Sequence, residues 1–221
     1  MTTWGYIGTA LALGGLAVLA WHSVRSLLQA RVLLAGRRRT LVNLRGRAAA
    51  LRGDVRVREV IHISYLGDCL WQRQTTYVRG GFWRRRNTWT REDWSETTAD
   101  FSIVVDGEAV RISGDPTEVN GHASKSVVDN AGFVDGILGE ADHKTTDEWL
   151  PVTERLTVVG RLEKRGDAWV IGPDSRVGFL FTPDEPMSAA LHENVKGWLG
   201  LVGVAAGIAA IYWFIGLHGV R

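Results

Sequence analysis

Two stretches without a single Asp, Glu, Lys or Arg, residues 4–21 and 198–217, bracket this chain. Each has about the ~20 apolar residues a helix needs to cross a hydrocarbon core of about 30 Å. That pair constrains everything else, because whatever folds between them is held against a bilayer at both ends. The chain therefore divides into a first transmembrane helix (residues 1–22), a basic juxtamembrane helix or linker (23–40), a soluble domain (41–196) and a second transmembrane helix (197–218). The soluble part is long enough to bury a core of its own.

Charge gives the expected orientation. Residues 1–53 hold no acid but eight arginines: Arg25, Arg31, Arg37, Arg38, Arg39, Arg45, Arg47 and Arg52. All of them follow the first span. By the positive-inside rule the domain is cytoplasmic, in the inner membrane of a bacterial or archaeal cell, with both termini outside. With no basic n-region before it, the first span reads as a signal anchor and not as a cleaved signal peptide. Residues 114–148 reverse the balance, with eight acids against Lys125 and Lys144. A basic surface near the membrane and an acidic region elsewhere follow.

Trp4, Tyr6 and Trp21 stand where interfacial aromatics belong. Gly8, Ala12 and Gly15 recur at helical spacing, and Gly200, Gly203 and Gly207 form a second small stripe. Such stripes let helices approach closely in lipid. They leave room for packing within one chain and between copies, and a homo-oligomer is expected. Past Trp21, Val24, Leu27, Leu28, Val32 and Leu34 keep a period near 3.6. This either extends the first helix beyond the bilayer or lays it in the interface.

Between the spans the pattern is mostly that of strands. Residues 55–63 and 69–78 alternate as half-buried strands. Residues 101–113 form a hairpin across Asp106-Gly107, and residues 156–162 and 168–171 form another across Arg165-Gly166-Asp167. Residues 179–181 are a last short strand, and 188–196 are helical. Residues 114–151 are polar and glycine-spotted and read as an insertion or a long loop, with room for one short helix. The fold class is mainly β, a small OB-like barrel or sandwich between two transmembrane helices.

Enzyme signatures do not occur: there is no HExxH, GxSxG, P-loop or GxGxxG. No catalytic residue, metal ligand or cofactor is assigned. His122 and His143 lie among Asp129, Asp135 and Asp142 without a recognised ligand spacing, and read as a solvated loop. Cys69, the one cysteine, reads as buried core. It also excludes an intrachain disulfide and a multi-cysteine zinc site.

One constellation stands out. Arg79, Arg84, Arg85, Arg86 and Arg91 are interleaved with Tyr77, Phe82, Trp83, Trp89 and Trp94. Arginine forks match phosphates, and exposed aromatic faces stack bases at about 1–3 kcal/mol each. Arg79, Trp83, Arg84, Arg85, Arg86, Trp89, Arg91 and Trp94 are therefore the candidate ligand-binding residues, for a nucleotide or single-stranded oligonucleotide. Two other readings stay open: contact with anionic lipid headgroups, and a solvated basic hairpin whose aromatics are core.

The run Arg161-Leu-Glu-Lys-Arg-Gly-Asp-Ala-Trp-Val-Ile-Gly, followed by Gly178-Phe-Leu-Phe and a helix entering a terminal span, resembles the beside-a-membrane (BAM) or GIDE-type domain. Gly67-Asp-Cys-Leu-Trp-Gln-Arg resembles a cysteine-containing strand of that family, and residues 101–116 its phenylalanine–aspartate–glycine hairpin. The resemblance spans about residues 41–198 and both helices. It implies kinship with the membrane-anchored mitochondrial E3 ubiquitin ligases, which carry a RING after the second span. One cysteine cannot build a RING, so ligase activity is not expected. Prokaryotic members of this architecture imply a membrane effector in antiviral defence, paired with a nucleotidyltransferase that makes its ligand. The expectation is a non-enzymatic sensor and effector that binds the bilayer, copies of itself and a nucleotide or oligonucleotide, and controls an oligomeric pore. The alternative is a membrane scaffold or lipid-contact domain.

Overall fold

The computed structural model describes residues 3–35, 40–63, 65, 67–80, 89–129 and 141–218. In chain order the elements are α1 (Thr3–Ala35), α2 (Leu41–Leu44), β1 (Ala48–Glu59), β2 (Ile61–Ile63), β3 (Gly67–Gly80), β4 (Thr90–Thr98), β5 (Asp100–Val105), β6 (Glu108–Ile112), β7 (Glu118–Val119), β8 (Ala123–Asp129), β9 (Ala141–Pro151), β10 (Arg155–Arg165), β11 (Ala168–Gly172), β12 (Leu180–Thr182) and α3 (Pro186–His218).

Five of these strands close on themselves in the order β1-β5-β6-β11-β10 and back to β1. All neighbours are antiparallel except β6 and β11, which run parallel. Counting barrel strands alone, the order is first, second, third, fifth, fourth, with the third and fifth parallel. That is an OB-type barrel. The β5–β6 turn carries Asp106 at φ 52° and Gly107 at φ 83°, the two positive angles that a type I′ turn requires. This local geometry pairs Val105 with Glu108 and fixes the hairpin register.

Alternation along each strand sends Leu51, Phe101, Ile103, Val110, Leu156, Val158, Leu162 and Ile171 into one core. Phe181 packs edge-on against Phe101 and Phe179, with ring centroids 5.7 and 5.0 Å apart. α2 adds Leu41 and Leu44 to the same core.

A second sheet is built from two insertions. β2, β3 and β4 lie between barrel strands β1 and β5, and β8 and β9 between β6 and β10. β9 pairs with β3 over its length and with β8 on its other edge, while β4 pairs with β3. The sheet starts at the barrel core, where Cys69, Leu70, Trp71 and Leu150 are buried. At its far end Arg79 pairs with Asp142, and Asp129 with His143. Of the insertion or long loop expected over residues 114–151, the structure shows an insertion, whose described residues include the strands β7, β8 and β9. Val127, Val128, Thr145 and Thr146 carry β propensity, but both faces of this sheet are largely polar, so apolar alternation is lost. The same holds for β4, whose strand the sequence pattern does not reveal. The strand expected at residues 55–63 begins earlier, at Ala48, and breaks at Val60 into β1 and β2.

α1 and α3 are each 33 residues long, about 50 Å at 1.5 Å per residue. Their stretches Ala10–Ala35 and Pro186–Trp213 are each long and apolar enough to cross a membrane. Most of each stretch is not buried against the domain, so neither is a core helix. Their domain-side ends pack onto the barrel, where Leu33, Ala189 and Ala190 meet Ala50, Val159, Val177 and Leu180. α1 therefore extends without a break from its exposed apolar half to the barrel surface. α3 does the same in the opposite direction.

Candidate functional site

The basic and aromatic constellation falls at the far end of the second sheet. Trp83, Arg84, Arg85 and Arg86 lie outside the described residues. Of the others, Arg79 ion-pairs with Asp142 at 3.0 Å and lies 4.8 Å from the Trp89 ring centroid. Trp94 is 51% exposed, and the Arg73 guanidinium stands between its ring and that of Trp71, 5.9 and 5.1 Å from the centroids. Arg73 also pairs with Glu96 at 3.3 Å and Glu148 at 3.8 Å. Arg91 is exposed, on a strand that also carries Glu92, Asp93 and Glu96. Period-2 geometry explains this ladder: Arg73, Thr75, Tyr77 and Arg79 share one face of β3. On that face Arg73 and Arg79 are matched by acids from neighbouring strands. Arg79 and Trp94 thus serve in part as sheet cement, a role that their spacing in sequence does not reveal.

The barrel presents a second surface that the sequence pattern does not bring together. A groove of about 590 Å³ opens on the outside of β5, β6 and β11, beside the β10–β11 turn. Thr98, Asp100, Arg111, Ser113, Asp115 and Arg165 line it. Arg111 faces Asp100 at 3.7 Å, Arg165 pairs with Glu163 at 3.3 Å, and the Thr98 hydroxyl donates to Asp115 at 2.8 Å. Guanidinium, carboxylate and hydroxyl groups there suit a polar, hydrogen-bonding ligand. The second and third strands of an OB barrel, with the turn between the fourth and fifth, form the face that such barrels use for oligonucleotides and oligosaccharides. The lining residues come from three separate stretches, 98–100, 111–115 and 165–170, so only strand closure assembles them.

Five side chains tether the helices to the barrel. Arg25 on α1 donates through Nε to the Val177 carbonyl at 3.3 Å and through Nη2 to the Thr117 hydroxyl. Gln29 donates to the same Val177 carbonyl at 2.9 Å. On α3, the fully buried Glu193 accepts from Asn120 at 3.0 Å, and Lys196 pairs with Glu118. Arg52 of β1 adds bonds to the carbonyls of Pro183 and Asp184, where α3 begins.

The small stripes do different things. Ideal β-carbons on Gly197, Gly200, Gly203 and Gly207 would meet Leu27, Ser23, Leu19 and Leu16 of α1. The stripe of Gly200, Gly203 and Gly207 is therefore occupied within the chain. Gly15 has no neighbour within 4 Å and Ala12 is exposed, so that part of α1 is open. Gly8 also lies on α1.

Cys69 is buried, and its thiol donates to the Ile61 carbonyl at 3.4 Å. Burial, then the nearby Asp68 charge, pushes its pKa up, the opposite of what a nucleophile needs. Tyr65 also has a raised pKa, chiefly because its hydroxyl donates to Asp147, with smaller contributions from burial and the Asp147 charge. His122 bonds the Val119 carbonyl at 2.8 Å and lies 3.6 Å from Glu148. His143 lies 3.9 Å from Glu92.

No protein-family model, curated protein or solved structure matches the chain.

Proposed function

We infer that this chain is a membrane sensor and effector. Its OB-type domain binds a nucleotide or single-stranded oligonucleotide and passes that event to two transmembrane helices. The observation that carries this reading is mechanical. α1 and α3 are each a single helix from the barrel surface to the exposed apolar half, tied by Arg25, Gln29, Glu193 and Lys196. A ligand that shifts the barrel therefore moves both spans.

The ligand lies across the groove at Arg111 and Arg165; Trp83, Arg84, Arg85 and Arg86, outside the described residues, are carried as separate candidate contacts from the sequence. Copies associate through the Gly8, Ala12 and Gly15 face of α1, and the assembly forms a pore of small and apolar side chains that gates by wetting. The domain sits on the cytoplasmic side of an inner membrane. The likeness to the beside-a-membrane domain adds the setting: antiviral defence, with a partner nucleotidyltransferase making the ligand.

The full chain in nanodiscs tests this with fluorescent oligo-dT across a salt series. Arg111→Gln with Arg165→Gln should weaken binding at least about tenfold, as loss of charge-assisted phosphate contacts implies. Neutralising Arg84, Arg85 and Arg86 together should flatten the salt dependence, because fewer counterions are released. A second reading, a non-enzymatic scaffold or lipid-contact domain, is favoured by the ion pairs that occupy Arg73 and Arg79. It wins if the wild type binds anionic liposomes but no oligonucleotide at low salt. Ubiquitin-ligase activity has no zinc ligands to support it.

A further inference from the structure

Where α1 and α3 leave the barrel, a cavity of about 150 Å³ opens between them. His22, Ser23 and Arg25 of α1, Lys196 of α3, and Thr117 and Glu118 beside the barrel line its walls. Leu19 closes the side that faces the apolar halves. The charges here are unevenly matched. Lys196 is paired with Glu118 and lies 3.9 Å from Glu193. Arg25 donates only to neutral acceptors, the Val177 carbonyl and the Thr117 hydroxyl, and forms no ion pair among the described residues. Its positive charge is therefore not offset by a neighbouring carboxylate among the described residues. Yet Arg25 is held in place: it lies against Gly178, where an ideal β-carbon would come within 1.5 Å of Nη2.

The level of the cavity matters as much as its charge. Trp21 and Trp198, 56% and 60% exposed, stand next to it on the two helices. Exposed Trp at the ends of apolar spans marks the headgroup layer. Beyond it lie exposed Leu11, Leu13, Val18 and Val202. The unmatched guanidinium thus sits where phospholipid phosphates lie, above apolar helix surface.

We propose that this cavity holds the phosphate of an anionic glycerophospholipid. Arg25 is its counter-ion, His22 supplies a hydrogen bond, and the acyl chains run over Leu19 towards the apolar halves; the Ser23 and Thr117 hydroxyls already donate to the Leu19 and Phe179 carbonyls and only line the wall. A basic pocket between two spans on the domain side suits such a headgroup. The lipid would then be a third component of the joint between domain and spans. The proposal rests on the membrane assignment of α1 and α3 and is independent of any nucleotide ligand.

The test uses the full chain in nanodiscs of phosphatidylcholine with a minority of phosphatidylglycerol. Native mass spectrometry reads the lipid retained on release. The wild type should retain phosphatidylglycerol in preference to phosphatidylcholine, and Arg25→Gln should lower that retention at least about tenfold, as expected for a lost charge-assisted contact. Arg25 also ties α1 to the barrel, so His22→Glu serves as a second variant. His22 is exposed, and a carboxylate there repels the phosphate without removing a tether. Unchanged melting in pure phosphatidylcholine certifies each fold, and if Arg25→Gln fails that check His22→Glu decides alone. Equal retention of the two lipids by the wild type, or retention unchanged in the folded variants, overturns the proposal. So does displacement of phosphatidylglycerol by inorganic phosphate, which would make the cavity a free-anion site.

Discussion

Leu16 of α1 fills the space that Gly207 of α3 leaves empty: a β-carbon on Gly207 would come within 2.6 Å of the Leu16 Cδ2. The two spans are therefore each other's first packing partner. Gly207→Leu should wedge the helical hairpin apart inside one chain, at about 1–3 kcal/mol for overpacking. Disulfide cross-linking between cysteines introduced near Leu16 and Gly207 should drop in the variant, while the far-ultraviolet signal of the barrel stays unchanged. Cross-linking equal to that of the parent would disprove the intrachain contact.

Gly178 has φ 76° and holds its backbone against the Arg25 guanidinium. Gly178→Ala combines left-handed strain of about 1–3 kcal/mol with a direct clash, and should lower stability by at least that strain. Adding Arg25→Ala should recover part of the loss, because the clash goes and the strain stays. Denaturant unfolding of the four proteins in a double-mutant cycle measures the coupling. Strict additivity would show that the contact has no energetic weight.

Cys69 and Tyr65 both have folded-state pKa values above their ordinary ones. Each favours the protonated form in the fold, so its contribution is complete below the unfolded pKa and is lost as pH rises through the folded one. Stability should be flat through neutrality. It should fall from about pH 8.5 upward for the thiol and from about pH 10 upward for the phenol. Melting temperatures across an alkaline series, with Cys69→Ala and Tyr65→Phe as controls, separate the two steps. Loss of stability on acidification through neutrality would point to other groups.

The arginines that follow the first span predict the side of the membrane. A reporter fused after Arg221 should be active only in the periplasm. Cytoplasmic activity there reverses the assignment and, with it, access of the domain to cytoplasmic nucleotides.

How much of this was readable beforehand depended on how local each signal was. Asp106-Gly107 and Arg165-Gly166-Asp167 announced their hairpins because turn residues act on their own backbone. β4, β8 and β9 escaped because a sheet with two polar faces has no apolar alternation to read. Sequence could not show that pairing of β3 with β9 and β4 sets Asp142 beside Arg79 and Arg73 beside Trp94. The groove at Arg111 and Arg165 had no signal in sequence, since its walls meet only when the barrel closes.

Composition and periodicity by themselves determined two helices able to cross a membrane, a β-rich domain between them, and where its two barrel hairpins turn. These follow from nearest-neighbour chemistry: uncharged runs, alternation, and residues that accept positive φ. The tertiary structure decided that the glycine stripe of α3 packs on α1, that Arg25 docks on Gly178 without a carboxylate partner among the described residues, and that five strands close as an OB barrel. Such choices depend on which distant surfaces fit at contact distance, and no window of sequence holds both sides of a contact.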